Sequence, residues 1–555
     1  MRALFSSVSL LLLMSGSVVH AAKPVTTLLR FVPEDSRFCV VVQNLRAHYQ
    51  QLMKSPFMKK VEGSALKELL DELKRQVPLD ELDQMLEQQF GLKLSQLRDD
   101  ILGDAVVIAY RHPTKDRKEQ GLILLHARDA ELLRKTYLRF AKQASEQLSH
   151  GGNSYVRLGE GKDETYLHQS GSILLYCNNE EMLQEALDHS QKKVFPLVKR
   201  FEPALQKKPL VCAWINPRSF DGDLRAVMKQ APGPIATVLK NFAPAWKQLH
   251  DVFCTLSLDE NLELGLALKL NEKQLPKTVQ TFLEKLTQPS DLWSRIPSNA
   301  IAAGAVKIDL VSLFGFLTQA QSPESKKGLE DLLNYGTGLF GKDLRTEVLP
   351  NLGPDCGFYI TSPPRSSEGW IPSIVVAMRV SPGNKSAPID QTLMTGLRIA
   401  ATAGAVAYNS KNPLDPVRWK ILKTEQGEAQ YASCKKGREL GLVPTFGLTQ
   451  GYLVLASSPE AWKEFALRKP TAVKSKETPL FRLSIAELRR YIRKHQIAVT
   501  KFLAAQNETT ARSIQEKLNG FMAILSLVES LDLRQTRENG LIHFQLRAQF
   551  AASLR

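Results

Sequence analysis

The sequence predicts an α+β fold made of two tandem similar modules, each a mostly antiparallel sheet packed with helices. Three observations predict it. Strand-like apolar runs are interleaved with single long helical segments, nearly the whole chain is internally repeated, and each half approaches its end with an alternating hairpin. Alternation on both sides of a polar turn is typical of antiparallel strands with one wet face. We therefore favour this class over a doubly wound parallel sheet.

The repeat is clearest at the pattern F-G-x-x-L…L-G, which starts at Phe90 and recurs without a gap at Phe340. A second ungapped match pairs the segment 170–181 with 450–461, and both segments indicate a strand running into a helix. These matches predict a signal peptide at 1–21, one module at 24–286 and its duplicate at 291–555. A chain of 555 residues also exceeds the roughly 250–300 residues at which single cores stop growing.

Local signals predict where the helices of each module begin and end. Asn178 with Glu181, and Ser458 followed by Pro459, have the residue types of helix N-caps. Asp129 and Asp390 are predicted to cap the next long helices, and Gly103 and Gly353 to end short helices in a left-handed conformation. The second copy departs from the first at 362–369 and 409–443, which indicates either a specialised surface or disorder.

The N-terminus has the pattern of a secretory signal. Arg2 precedes an apolar run, and Val19 and Ala21 stand at the minus-three and minus-one positions, so cleavage is predicted between Ala21 and Ala22. The alternative is a membrane anchor, but the uncharged stretch is shorter than the roughly 20 apolar residues of a spanning helix. We predict a chain exported to the periplasm, the cell envelope or the exterior, with no transmembrane segment after cleavage.

Composition narrows the possible partners. The chain is 43% apolar and 23% charged, which excludes a collagen, a low-complexity polymer and a wholly disordered chain. Its 73 basic and 57 acidic residues give a net charge of +16 and favour anionic neighbours. On the predicted helix 484–495 the basic residues share one side and form a candidate anion-binding face, the alternative being a solvated face: Arg489, Arg490, Arg493 and Lys494.

Partners are otherwise unknown. An anionic envelope component or a protein is favoured, and a nucleic acid is disfavoured because no recognised binding module accompanies the basic runs.

The most suggestive chemical motif is G-T-G-L-F-G-K-D, Gly336 to Asp343, which satisfies patterns for both dinucleotide and phosphate loops. Its context argues against both. The preceding segment is predicted to be helical rather than a strand, and Asp343 stands where a phosphate loop needs Ser or Thr. Gly341 is therefore predicted to terminate a helix, and no cofactor is expected.

No catalytic, cofactor-binding or metal-ligating residues can be assigned from sequence. The ten histidines are scattered without metal-ligand spacing, and no G-x-S-x-G or C-x-x-C occurs. The six cysteines are far apart, and we favour free buried thiols over disulfides. Serine, histidine and carboxylate groups are recognised by geometry rather than by order, so an enzyme whose residues converge only in the fold stays open.

The secretory signal, the opening V-P-E-D at 32–35, the F-G-x-x-L…L-G-D turn and the duplication together resemble exported bacterial proteins of a domain-of-unknown-function family. The second copy departs from the turn, with Pro354 and Asp355 where the first copy has Asp104 and Ala105. The resemblance implies an exported protein and supplies no activity or site residues.

Three functional hypotheses follow. The first is an exported non-enzymatic scaffold or binding protein of the periplasm or cell envelope. The second is a carrier that binds an apolar or anionic ligand between the modules. The third is a hydrolase whose site is not visible in the sequence.

Overall fold

The computed structural model describes residues 22–62, 67, 71, 79–113, 118–258, 261–319, 323–364, 369–381, 389–470, 477–538 and 540–551. The predicted signal segment 1–21, including Ala21, lies outside the described residues. Within the described ranges, no helix has the length and apolarity that crossing a membrane requires.

Contacts between residues divide the chain into two units. The first unit takes the described residues of Met1–Asp223, Leu249–Leu270 and Gln545–Arg555, and the second takes those of Leu224–Gln248 and Asn271–Phe544. The units do not coincide with the predicted halves, so the tandem modules and their boundaries stay a prediction.

The first unit has an antiparallel sheet in the order β4-β5-β6-β7-β3-β2-β1-β8-β9-β10. Its strands are β1 (Phe38–Gln43), β2 (Ala105–Arg111), β3 (Gln120–His126), β4 (Glu146–His150), β5 (Asn153–Leu158), β6 (Thr165–Ser170), β7 (Ile173–Cys177), β8 (Val211–Ile215), β9 (Leu249–Leu258) and β10 (Asn261–Leu270). Its helices are α1 (Ala22–Leu29), α2 (Leu45–Lys54), α3 (Pro56–Glu62), α4 (Leu79–Phe90), α5 (Ala130–Ala141), α6 (Glu180–Ser190) and α7 (Pro196–Leu205).

Both faces of this sheet are covered by apolar side chains. On one face, Val41, Val107 and Leu124 are buried with residues of α1, α6 and α7, among them Leu28 and Phe201. The other face forms a second cluster, in which helix residues pack over β1, β2 and β3. Burial on both faces explains why these strands are apolar runs rather than strict alternations.

The second unit has an antiparallel sheet in the order β14-β15-β16-β17-β13-β12-β11-β18-β19. The strands after β10 are β11 (Ala302–Lys307), β12 (Leu352–Thr361), β13 (Ser373–Val380), β14 (Arg418–Thr424), β15 (Gly427–Ser433), β16 (Thr445–Thr449), β17 (Tyr452–Ala456), β18 (Thr478–Ser484), β19 (Val528–Glu538) and β20 (Leu541–Phe550). The remaining helices are α8 (Asp221–Gln230), α9 (Gly233–Lys247), α10 (Lys277–Leu286), α11 (Leu310–Gln319), α12 (Pro323–Phe340), α13 (Ile389–Lys411), α14 (Lys435–Leu440), α15 (Pro459–Leu467), α16 (Ile485–Lys494), α17 (Gln496–Gln506) and α18 (Ala511–Leu525).

The predicted fold class is confirmed. Neighbouring strands in the two orders above pair antiparallel, helices pack on the sheets, and the predicted hairpins β9–β10 and β19–β20 form. The strand orders of the two units correspond position by position over nine strands, with β1, β2 and β3 matched by β11, β12 and β13. The order alone does not establish that one half is a copy of the other.

Several local predictions are confirmed. The side chains of Asp129 and Ser458 accept hydrogen bonds from Leu132 N and Ala461 N as N-caps of α5 and α15. Gly341 follows the last residue of α12 with a φ of 65°, the left-handed conformation that suits glycine, and its N–H donates to the Thr337 carbonyl.

Three local predictions are wrong, and a fourth is right only in its backbone conformation. The N-cap of α6 is Asn179, because the side chain of Asn178 instead accepts from Gly121 N across the sheet. Asp390 lies inside the first turn of α13 rather than before it. Gly353 has the predicted positive φ, 92°, but it is the second residue of β12 and lies two residues beyond the 3-10 turn Leu349–Asn351, so it does not end a helix. Gly103 lacks a positive φ, and the π-helical turn Leu97–Ile101 ends two residues before it.

The disorder alternative for 409–443 is also wrong. The end of α13, the hairpin β14–β15 and α14 occupy this stretch. The other divergent stretch, 362–369, is described only at 362–364 and 369.

Candidate functional site

The second unit exposes apolar side chains on one face of its sheet. In β12, β13 and β17, apolar residues occupy both alternating sets of positions, so the sequence by itself does not distinguish a covered face from an open one. One set is fully or nearly buried with α15: Tyr359, Val375 and Val454 pack there around Trp462. This is the core face of the unit.

The opposite set lies open. Phe358 pairs with Val376, and Val376 pairs with Leu455, so the three side chains form a continuous row across the strands. Ile374 lies two residues from Val376 on the same face. These four side chains, which we call the open face, are 37% to 43% exposed. Contiguous exposed apolar surface of this kind marks a binding site more often than scattered single residues do.

The open face lies between two apolar clusters that helices cover. On one side Leu453 packs in a cluster with Phe340 at the end of α12 and Leu393 of α13. On the other side Leu483 of β18 packs in a cluster with Tyr491 and Ile492 of α16. The exposed row therefore runs across the strands between two helix-covered clusters.

Glycine at one position of the row lets an aromatic ring lie flat over the sheet. Gly304 of β11 pairs with Phe358, and a Cβ on Gly304 would stand 3.0 Å from the Phe358 ring. A larger residue at 304 would push the ring outward.

The corresponding row of the first unit is covered. Ile108 pairs with Ile123, and Ile123 pairs with Tyr176, at the same places in the strand order. Ile108 and Ile123 are only partly exposed because they pack against a buried cluster that includes Leu133 of α5. Two sheets with the same order thus differ in whether helices cover this row.

The four predicted anion-binding residues lie on α16, and internal ion pairs engage two of them. Arg489 lies 3.0 Å from Glu529, and Arg490 is paired with Glu487 one turn earlier. Arg493 and Lys494 are exposed, while Ile492 on the other side of the helix is buried. This side of α16 therefore has fewer cationic side chains outside ion pairs than the helical spacing predicts. Its role in anion binding stays a prediction.

The structure shows where the other motifs of the sequence lie. Gly336 and Gly338 fall inside α12, so the predicted helix before Gly341 is confirmed and the strand that a phosphate loop requires is replaced by that helix. In the described part of the chain, His, Cys, Asp and Glu form no group of three or more that could hold a metal ion.

All six cysteines are free, and Cys39, Cys177 and Cys212 are buried. Burial raises the pKa of the Cys177 and Cys212 thiols to about 12, and it also raises that of Cys39. A thiol with so high a pKa is a poor nucleophile at neutral pH. We therefore assign these three cysteines a structural role in the core.

The fold and the open face define an α+β protein that exposes an apolar surface on an antiparallel sheet. No family model, curated protein or solved structure matches the chain. The resemblance to exported bacterial proteins therefore stays a prediction. Sequence analysis missed the open face, and the only signal for it is that β12, β13 and β17 are apolar at both sets of alternating positions.

Proposed function

We propose that this is an exported binding protein of the periplasm or cell envelope that binds an apolar, chain-like ligand on the open face. The observation that carries the proposal is the continuous exposed row of Phe358, Val376 and Leu455. An acyl chain is the ligand class that suits a row of apolar side chains between two further apolar clusters.

The distribution of exposed apolar side chains supports the proposal. Most of the large apolar side chains that are exposed among the described residues belong to the second unit. Such exposure has a cost in solubility unless the surface binds something. Export is proposed on the sequence pattern of the N-terminus, with its apolar run and the small residues before the predicted cleavage site.

The exposed apolar area of the open face determines how tightly this surface alone can bind an apolar ligand. Covering the exposed two-fifths of four such side chains contributes roughly 3 kcal/mol by itself. That alone gives only millimolar binding, so a ligand of useful affinity must also contact the flanking clusters around Leu453 and Leu483. This requirement favours a long acyl chain over a compact apolar molecule.

The test is a titration of the full mature chain with a fluorescent long-chain fatty acid. Replacement of Val376 and Leu455 by Thr keeps strand propensity and changes exposed positions, so we expect the fold to survive and the Kd to rise by about tenfold. Ile421→Thr is the matched control, because Ile421 is 58% exposed on β14 outside the open face. Absence of binding by the unaltered chain, or equal loss in V376T/L455T and I421T, contradicts the proposal.

The other proposed partners are anionic, because the chain is basic. The exposed Arg493 and Lys494 and the net charge of +16 favour an anionic envelope component or an acidic protein near α16. A nucleic-acid partner is not proposed.

A further inference from the structure

Three polar residues of the first unit converge at one edge of its sheet. Asp104 directly precedes β2, His126 is the last residue of β3, and Ser172 lies in the two-residue loop before β7. The register explains the convergence: β3 lies between β2 and β7, and His126 pairs with Ala105 on one side and with Ile173 on the other. The neighbours of these two partners, Asp104 and Ser172, are therefore brought to the two sides of one imidazole ring.

The two ring nitrogens of His126 face different partners. Ser172 Oγ lies 3.0 Å from Nε2, and Asp104 Oδ2 lies 3.4 Å from Nδ1. Nδ1 is buried and makes no hydrogen bond, and the Asp104 carboxylate beside it favours the tautomer with the proton on that nitrogen, which leaves the Nε2 lone pair to accept the Ser172 hydroxyl proton. The His126 and Asp104 side chains are partly exposed, so a solvent-borne molecule can approach the group.

Ser172 is partly exposed on a loop between two strands. Gly171, the residue before it, has a φ of 57°, the left-handed conformation suited to glycine at the first central position of a two-residue hairpin turn. A Cβ at Gly171 would meet nothing within 4 Å, so open space surrounds the loop. In the ungapped alignment with the second half, Tyr452 stands in place of Ser172, and the constellation belongs to the first unit alone.

We propose that Ser172, His126 and Asp104 form an acyl-transfer site that hydrolyses carboxylic esters. Ser172 is the nucleophile, His126 is the general base and acid, and Asp104 is a positioning residue that acts through His126. This activity goes beyond the binding function proposed above and does not depend on it. An ester is the substrate class because its alkoxide leaving group needs less assistance than the amine of an amide.

The reaction balances without a co-reactant other than water. Ser172 Oγ attacks the carbonyl carbon while its proton passes to His126 Nε2, and the tetrahedral oxyanion forms beside the Ser172 backbone N–H. The oxyanion collapses, the bond to the leaving oxygen breaks, and that oxygen takes the proton from Nε2. Water then attacks the acyl-serine with His126 as base, which releases the carboxylic acid and restores Ser172.

The first experiment is covalent labelling of the full mature chain with a fluorophosphonate, followed by identification of the labelled peptide by mass spectrometry. We expect the label on Ser172, no label in Ser172→Ala, and a loss of roughly a hundredfold or more in labelling rate in His126→Gln. Hydrolysis of p-nitrophenyl butyrate is expected to fall in parallel.

Asp104→Asn distinguishes positioning from a merely structural contact. It is expected to lower kcat with little change in KM and to alter the pH dependence of the rate, because the favoured tautomer of His126 is lost. A structural role would change the melting temperature and leave the pH profile of the residual activity as it was.

Two matched controls come from the same unit. Ser170→Ala removes another hydroxyl next to the same loop, and His150→Gln removes a histidine whose Nε2 lies 2.9 Å from the Asp188 carboxylate. Both are expected to keep full labelling. An unlabelled mature chain, a label that persists in S172A, or equal loss in H126Q and H150Q overturns the proposal. None of these outcomes bears on fatty-acid binding by the open face.

Discussion

Arg111 lies 4% exposed at the end of β2, where its guanidinium is shared between two carboxylates. It contacts Asp35 and lies 2.7 Å from Glu185, and a further bond joins it to the Gln120 amide. Asp35 belongs to the V-P-E-D motif on which the family resemblance depends. The motif therefore has a structural task in this chain, which is to neutralise a buried cation.

His48 of α2 is a buried histidine with a predicted effect on stability. Its side chain is 4% exposed, and burial lowers the pKa of the ring from its ordinary 6.5 to about 4, which the Leu258 carbonyl offsets only in part. Between pH 6.5 and about 4, His48 therefore binds a proton in the unfolded chain and stays neutral in the folded chain. The free energy of unfolding should fall by about 3 kcal/mol from this residue as the pH drops from 6.5 to 4.

Urea unfolding of the mature chain at several pH values measures this effect. His48→Phe is expected to make the urea midpoint less sensitive to pH between 7 and 4, whereas His112→Phe, at an exposed position, is expected to match the unaltered chain. If the H48F and H112F chains lose stability equally on acidification, the buried ring of His48 is not the cause.

At the scale of elements, helix ends are determined by single residues that sequence reveals well. Helix α12 ends at Phe340, and Gly341 takes the left-handed conformation directly after it. Gly338, three residues earlier, lies in the exposed interior of the same helix without a positive φ. Two glycines of one motif thus have opposite conformational requirements.

This difference predicts opposite effects of the same substitution. Gly341→Ala should destabilise the chain by about 1 kcal/mol, because alanine resists a positive φ, while Gly338→Ala should stabilise it by roughly 0.5–1 kcal/mol through helix propensity. A Cβ meets nothing within 4 Å at either position, so packing does not interfere. Thermal unfolding of both variants measures the effect, and a shift of the same sign in both would show that the helix end is not at Gly341.

At the scale of the whole molecule, the described chain combines a basic surface with an uneven distribution of apolar exposure. The second unit carries the open face and most other exposed large apolar side chains, whereas the first unit carries the converging Ser172, His126 and Asp104. The two proposals therefore fall on different units and can be tested independently.

The prediction of export also concerns the whole chain. We expect the protein made with its own N-terminus in a Gram-negative host to be recovered from the periplasm with Ala22 as its first residue. N-terminal sequencing of the periplasmic fraction measures this. Ala21→Arg should retain the leader because a charged residue replaces a small one, and Ala22→Ser should be processed normally. Recovery of the unaltered chain from the cytoplasm with Met1 present would contradict the prediction.

Much of the fold could be predicted because its signals are local. The hairpins follow from alternation around polar turns, and the caps of α5 and α15 from single residues. The errors are local too: the cap of α6 is misplaced by one residue because Asn178 and Asn179 both have the residue type of a cap, and only the bond from Gly121 N shows that Asn178 serves the sheet. The candidate sites could not be predicted in the same way, because neither has a motif.

The sequence by itself determined the α+β class, the antiparallel hairpins, the helix end at Gly341 and the absence of a phosphate-loop context, since each depends on periodicity or on residues adjacent in the chain. Only the tertiary structure decided which apolar row stays open and which polar groups meet. Strands that are apolar on both faces carry no record of which face a helix will cover. Asp104, His126 and Ser172 are far apart in sequence, and only the register of β2, β3 and β7 brings them together.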